Sequence, residues 1–189
     1  YRLPDANVEL EFAPADFIQV NAELNQRMVT RALELLDPQP GESVLDLFCG
    51  LGNFTLPLAR HAGRVLGIEA DAMLIEKAQR NARHNQLPNA EFRLADLYSP
   101  ETSDPWGTER FDKWLLDPPR TGAVEVVKRL PAEGGPRRIL YVSCNPGTLA
   151  RDSEVLVHTK GYRLAAAGVM DMFPQTSHVE AMALFERAN

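Results

Sequence analysis

Cysteine is nearly absent from this chain. Among 189 residues only Cys49 and Cys144 occur, too few for a disulfide framework and in keeping with a reducing cytoplasm. Two thiols also exclude a four-cysteine zinc or iron–sulfur site within the chain, so no metal is expected here. No apolar run approaches the length of a membrane span and no secretory signal opens the sequence, so no membrane partner is expected and the expected location is cytoplasmic. Positive charge is scarce too: 20 Lys and Arg stand against 26 Asp and Glu, a net charge of −6. That balance is not the footprint of a self-sufficient nucleic-acid binder. If RNA is the substrate, phosphate affinity must come from local arginines or from segments outside this chain. Tyr1 rather than methionine comes first, so the chain reads as a piece of something longer. Internal repeats and low-complexity tracts are missing as well.

What is present is alternation. With 44% hydrophobic residues, the chain can bury a sizeable core as one globular unit, expected to be a monomer. Val8 to Phe12 alternates enough for a short strand, which Pro14 breaks. Asn21 is a candidate cap for a helix with Leu24, Met28, Ala32 and Leu35 on one face, ending near Asp37-Pro38. After Pro40-Gly41, strands and helices take turns. Strands are expected at Val44–Phe48, Arg64–Ile68, Glu91–Leu94, around Trp114–Asp117 and at Ile139–Val142. Between them, helices are expected from Phe54 to about His61, from the Asp71 cap to about Asn85, and over Ala123–Leu130. A helix near Thr148–Thr159 and two strands, about Arg163–Met170 and Ala181–Arg187, close the chain. The pattern predicts an α/β fold, a mostly parallel sheet with helices on both faces. Residues 1–40 form a lead-in strand and helix, and residues 41–189 the core.

Such a sheet gathers the C-terminal ends of its strands on one edge, where open α/β folds bind ligands. Cys49, Glu69, Asp96, Asp117 and Cys144 all fall at or just past a strand end. After the first core strand comes Cys49-Gly50-Leu51-Gly52-Asn53, whose glycines permit a tight turn and close backbone approach. The third glycine of the dinucleotide pattern is replaced by Thr55, which argues against a pyrophosphate. Glu69, about 20 residues on, is placed to accept both hydroxyls of a ribose, and Asp96 could accept from an adenine amino group. Ribose and adenine without pyrophosphate suggest S-adenosylmethionine.

Two further strand ends carry chemistry. Asp117-Pro118-Pro119-Arg120 has two prolines that force a rigid, extended exit. Enzymes that methylate exocyclic amines resemble this but follow the prolines with an aromatic, where Arg120 stands here. Asp117 could instead accept from a pyrimidine N–H, or be a salt-bridged turn. At Ser143-Cys144-Asn145-Pro146, Asn145 reads as a helix N-cap with Pro146 at the first helical position. The positive end of that helix would favour a thiolate at Cys144. An inert buried cysteine is the competing reading.

Five segments occur in order: Phe17-Ile18-Gln19-Val20-Asn21, Leu45 to Thr55, Asp117 to Gly122, Val142 to Pro146, and His178-Val179-Glu180. Together they resemble the catalytic domain of the S-adenosylmethionine-dependent RNA 5-methyluridine methyltransferases, most of all the bacterial branch acting on large-subunit (23S) ribosomal RNA. The resemblance implies a class I methyltransferase fold, a seven-stranded sheet with an antiparallel C-terminal strand. It places Gln19, Phe48, Asn53, Glu69, Asp96 and Asp117 around cofactor and target base, Cys144 as the nucleophile at uracil C6, and Glu180 as the base that removes the C5 proton. His178 is a rival base. Phe17 is a candidate contact to a flipped, single-stranded or bulged uridine, and Arg27, Arg31, Arg120 and Arg151 are candidate phosphate contacts. Members of that branch also carry an N-terminal RNA-binding barrel and an iron–sulfur cysteine cluster, neither of which lies in this chain. An exocyclic-amine methyltransferase, a non-catalytic cofactor- or RNA-binding module, and tRNA as substrate remain the alternatives.

Overall fold

The structure, a computed structural model, describes residues 1–13, 21–99, 105–131, 133–171 and 179–188. Phe17, Gln19 and His178 lie outside the described residues. A two-stranded ribbon, β1 (Arg2–Leu3) and β2 (Val8–Glu9), precedes α1 (Ala22–Leu36). The core then runs β3 (Ser43–Leu47), α2 (Thr55–Ala59), β4 (Arg64–Glu69), α3 (Ala72–His84), β5 (Ala90–Leu94) and β6 (Lys113–Leu116). It continues through α4 (Val124–Lys128), β7 (Arg138–Ser143), α5 (Pro146–Glu154), a π-helical turn at 155–159, β8 (Tyr162–Met170) and β9 (Glu180–Arg187). The seven-stranded sheet has the order β5-β4-β3-β6-β7-β9-β8. Strands β3 to β7 pair in parallel, whereas β9 runs antiparallel to both β7 and β8.

Side chains alternate across this sheet and fill a core on each face. On β7, Leu140 and Val142 join the cluster beneath α1 and α2, while Ile139 and Tyr141 join the cluster beneath α4 and α5. The expected caps form. Asn21 accepts from the Leu24 N–H at 3.1 Å, Asp71 from Met73 at 2.7 Å, and Asn145 from Gly147 at 3.0 Å. Each satisfies an amide that the first helical turn leaves without an intrahelical partner.

One expected strand is shorter than its alternation suggests. Beyond Glu9 only Leu10 still pairs, exchanging bonds of 2.8 Å with Tyr1, and the backbone groups of Glu9 and Glu11 are taken instead by two asparagines, Asn81 of α3 and Asn85 at its C-terminal cap. Asn85 Oδ1 accepts from the Glu9 N–H at 2.9 Å and its Nδ2 donates to the Glu9 carbonyl at 2.6 Å. Asn81, 2% exposed, treats Glu11 likewise and also donates to the Leu51 carbonyl of the glycine loop at 3.3 Å. The helix expected over Phe54–His61 also forms only at Thr55–Ala59. Asn81→Leu would leave the Glu11 and Leu51 backbone groups unpaired, so we expect it to cost about 1–3 kcal/mol, read from the urea midpoint. An unchanged midpoint would show that water replaces the amide without loss.

Candidate active site

The strand order changes direction between β3 and β6, and open α/β sheets bind ligands in the crevice at such a point. A cleft of about 710 Å³ opens there, within the range of small-molecule sites. Phe48, Gly50 and Asn53 reach it from the loop after β3, Glu69 from the end of β4, and Asp96 from beyond β5. Asp117 and Arg120 reach it from beyond β6, Cys144 from beyond β7, and Glu180 from the start of β9.

The glycine loop is shaped by left-handed backbone. Phe48, Gly50 and Gly52 have φ of 66°, 55° and 96°. That conformation is uncommon for a residue with a bulky side chain. Two bonds hold the loop down: the Phe48 and Cys49 amides donate to the Ile68 carbonyl at 2.9 and 3.1 Å. Glu69 is oriented by backbone amides, accepting from Gly50 at 3.1 Å, Ala70 at 2.8 Å and Asp71 at 3.2 Å. A carboxylate has about four lone-pair sites, so it keeps capacity for a ligand hydroxyl. Asn53 pairs with the buried Asn25 through two amide bonds of 3.0 Å and accepts from the Tyr1 hydroxyl at 2.8 Å. One Nδ2 hydrogen of Asn53 is left over from these bonds.

At the other half of the cleft stand a thiol and two carboxyls. Register places Ser143 opposite Ala181, so Cys144 and Glu180 follow at the same sheet edge. Glu180 is only 5% exposed, and burial raises its pKa. Burial pushes Asp117 well above the ordinary carboxylate range, reinforced by the charges of Glu180 and Asp46, although part of its surface still faces the cleft. Cys144 departs from the thiolate expectation. Burial raises its pKa, Glu180 and then Asp117 add to this, and Arg120 opposes it. Its position also weakens the helix effect, because Cys144 precedes the cap and Asn145 already engages the Gly147 amide. Cys49 is buried, and desolvation holds its thiol protonated, with Asp46 and Glu69 adding to the effect.

The candidate phosphate contacts fare unevenly. Arg27 and Arg31 pair with Glu23 and Glu34 on exposed helix surface. Arg151 binds Asp152 and the Thr121 carbonyl, each at 2.8 Å, so it is structural rather than a spare cation. Two residues escaped the sequence reading. Tyr98 lines the cleft, packs on Phe48 with ring centroids 5.6 Å apart, and donates to the Gly122 carbonyl at 2.8 Å. Asp152 is fully buried behind it. Its signal was a carboxylate between Leu149 and Leu156 on the apolar face of a helix, a placement that demands a partner. Among the described residues no three His, Cys, Asp or Glu converge as a metal site, and no helix is long and apolar enough to cross a membrane.

This strand order, with β9 inserted antiparallel between β7 and β8, is the class I methyltransferase fold. The chain matches the family described as tRNA (uracil-5-)-methyltransferase over residues 2–188, and it belongs to that family. It is 58% identical over 189 residues to the 23S rRNA (uracil(1939)-C(5))-methyltransferase RlmD of Thiobacillus denitrificans, covering 99% of this chain and 43% of that protein. The RlmD of Alkalilimnicola ehrlichii is 59% identical over 187 residues, covering 99% and 42%. Among solved structures, Pyrococcus abyssi tRNA (uracil-54, C5)-methyltransferase in complex with S-adenosyl-L-homocysteine aligns with a TM-score of 0.80 at 37% identity, over 95% of this chain and 42% of that one. The chain thus spans less than half the length of these curated relatives.

Beneath the glycine loop, the fully buried Asp46 accepts from the Thr55 hydroxyl at 2.5 Å, and its other oxygen has no partner among the described residues. Burial, chiefly, pushes its pKa from the ordinary 3.8 up to about 7. A raised acid pKa means that the fold prefers the proton. Its stabilising contribution is therefore whole below pH 3.8 and lost as pH rises through about 7. Asp46→Asn, which imitates the neutral acid, should remove that decline from urea midpoints measured across this window. Parallel pH profiles for the two proteins would contradict it.

Proposed function

We propose that this chain is the catalytic unit, residues 41–189 with the lead-in of residues 1–40, of an enzyme that methylates carbon 5 of a uridine in RNA. Its methyl donor is S-adenosylmethionine, and its substrate class is the large-subunit ribosomal RNA named for the curated relatives. It acts as a monomer in the cytoplasm, on a single-stranded or bulged uridine, which costs least to extract from its stack. The observation that carries this reading is the pairing of β7 with β9, which sets a cysteine and a buried glutamate at one cleft edge.

Carbon 5 of uracil is a poor nucleophile. When Cys144 has given its thiol proton to solvent and its sulfur bonds to C6, the C5=C6 electron pair shifts toward the C4 carbonyl and C5 becomes enolate-like. C5 then forms its bond to the methyl carbon as the bond from that carbon to the donor's sulfonium sulfur breaks, its electron pair going to the sulfur. Glu180 takes the C5 proton, the C5=C6 bond re-forms, and sulfur departs as thiolate. The donor, when bound, supplies an electrophilic methyl group. Glu69 suits its ribose hydroxyls, Asp96 its adenine amine, and Asn53 and Phe48 its remaining edges. A protonated Asp117 offers an acceptor and a donor side by side, the complement of a uracil N3–H and its neighbouring carbonyl. Phe17 and Gln19 are the further contacts we assign to the target base from the family resemblance, and Arg120 lines the cleft.

Cys144→Ala should lower methyl transfer to background while calorimetric binding of S-adenosylmethionine survives. Turnover at the normal rate would remove the nucleophile role and favour an exocyclic-amine reaction at Asp117-Pro118-Pro119. Glu180→Gln should still methylate yet release slowly, visible as an RNA–protein adduct that resists denaturant. Fast release without such an adduct would count against Glu180 as the base.

A further inference from the structure

The segment leaving β6 is strapped to the helix that follows Cys144. Four successive residues are tied through their backbone. Asn145 Nδ2 donates to the Arg120 carbonyl at 3.2 Å, and Arg151 Nη2 to the Thr121 carbonyl at 2.8 Å. Tyr98 Oη donates to the Gly122 carbonyl at 2.8 Å, and the Ala123 N–H donates to Asp152 Oδ2 at 2.6 Å. Asp152 is the hub. The same oxygen accepts from the Tyr141 hydroxyl at 2.6 Å, and Oδ1 accepts from Arg151 Nε at 2.8 Å. Tyr141 belongs to β7, the strand that ends at the cysteine turn. Gly122, at φ 78°, makes the approach possible: a Cβ there would lie 2.6 Å from Arg151 Nη2 and 2.7 Å from Asp152 Oδ2.

Asp152 itself is fully buried and stands behind the cleft, so it touches no ligand there. A buried charge with hydrogen bonds from three directions is costly to build and stiff once built. We infer that Asp152 is a positioning residue for methyl transfer: it buckles the loop of Asp117 and Arg120 to the turn of Cys144, fixing the target base against its nucleophile. The inference rests on the proposed uridine chemistry. The cofactor half of the cleft, at Glu69 and Gly50, hangs from other strands and is touched by none of the Asp152 bonds; Tyr98, which packs on Phe48, reaches Gly122 through a bond of its own.

Asp152→Asn tests it, because in either orientation the amide sets a donor against a donor, the Ala123 N–H or the Arg151 guanidinium. In the intact protein, with uridine-containing ribosomal RNA, kcat per folded molecule should fall roughly 10²-fold, the scale of a displacement of about 1 Å. S-adenosylmethionine affinity should stay within about twofold, as for distant, uncoupled sites. Arg151→Gln alters a half-exposed side chain and keeps the Ala123 and Tyr141 bonds, so it should show the same split with a smaller loss. If Asp152→Asn does not fold, Arg151→Gln decides alone. Wild-type kcat in the folded variants, or cofactor affinity falling in step with kcat, overturns the inference. A wild-type protein that methylates no uridine overturns the reading beneath it, and the inference with it.

Discussion

Antiparallel pairing of β9 with β7, with Ser143 opposite Ala181, brings together two groups that are far apart along the chain. A parallel continuation of the sheet would have put the start of β9 at the opposite edge, away from every other strand end that matters. Because β9 reverses, its first residue, Glu180, arrives where β7 delivers Cys144. The rest of the cleft is arranged around that edge. The glycine loop and Glu69 form one half, and the Asp117 loop, tied back through Asp152, forms the other.

Crowding acids into one cleft has an electrostatic consequence. Glu180, Asp117 and Cys144 all have raised pKa values, each through burial first, and their charges oppose one another. In the free protein each of these groups holds its proton more tightly than it would in water. A cysteine destined to attack carbon must still give its proton up, and the charge of each neighbouring carboxylate makes that harder. Arg120 is the group that pulls the thiol in the other direction. Phosphates brought to the cleft mouth would weaken that pull, so the position of Arg120 matters to the chemistry as well as to binding.

Much of this was legible in the sequence because it is local. Strand ends declare themselves through apolar runs followed by Gly, Asp or Pro, and a parallel sheet then gathers them without further information. The caps at Asn21, Asp71 and Asn145 are likewise local and form as their residue types dictate. What was not legible depends on distant partners. Val8 to Phe12 alternates like a strand, yet Asn81 and Asn85, in a helix and its cap some 70 residues on, take the backbone bonds of Glu9 and Glu11. The thiolate expectation at Cys144 counted the helix that follows and omitted two carboxyls carried by other strands. Asp152 and Tyr98 act through bonds to a loop whose approach the sequence does not announce.

The central claim is that Cys144 bonds to carbon 6 of the uridine being methylated, and 5-fluorouridine in the RNA tests it most directly. Fluorine at C5 cannot leave as a cation, so the methylated adduct has no route to eliminate the thiolate. Peptide mapping by mass spectrometry after incubation with S-adenosylmethionine should find a methylated fluorouridine nucleotide on the Cys144 peptide. An adduct on the Cys49 peptide, or turnover conditions that leave no adduct at all, would contradict the account.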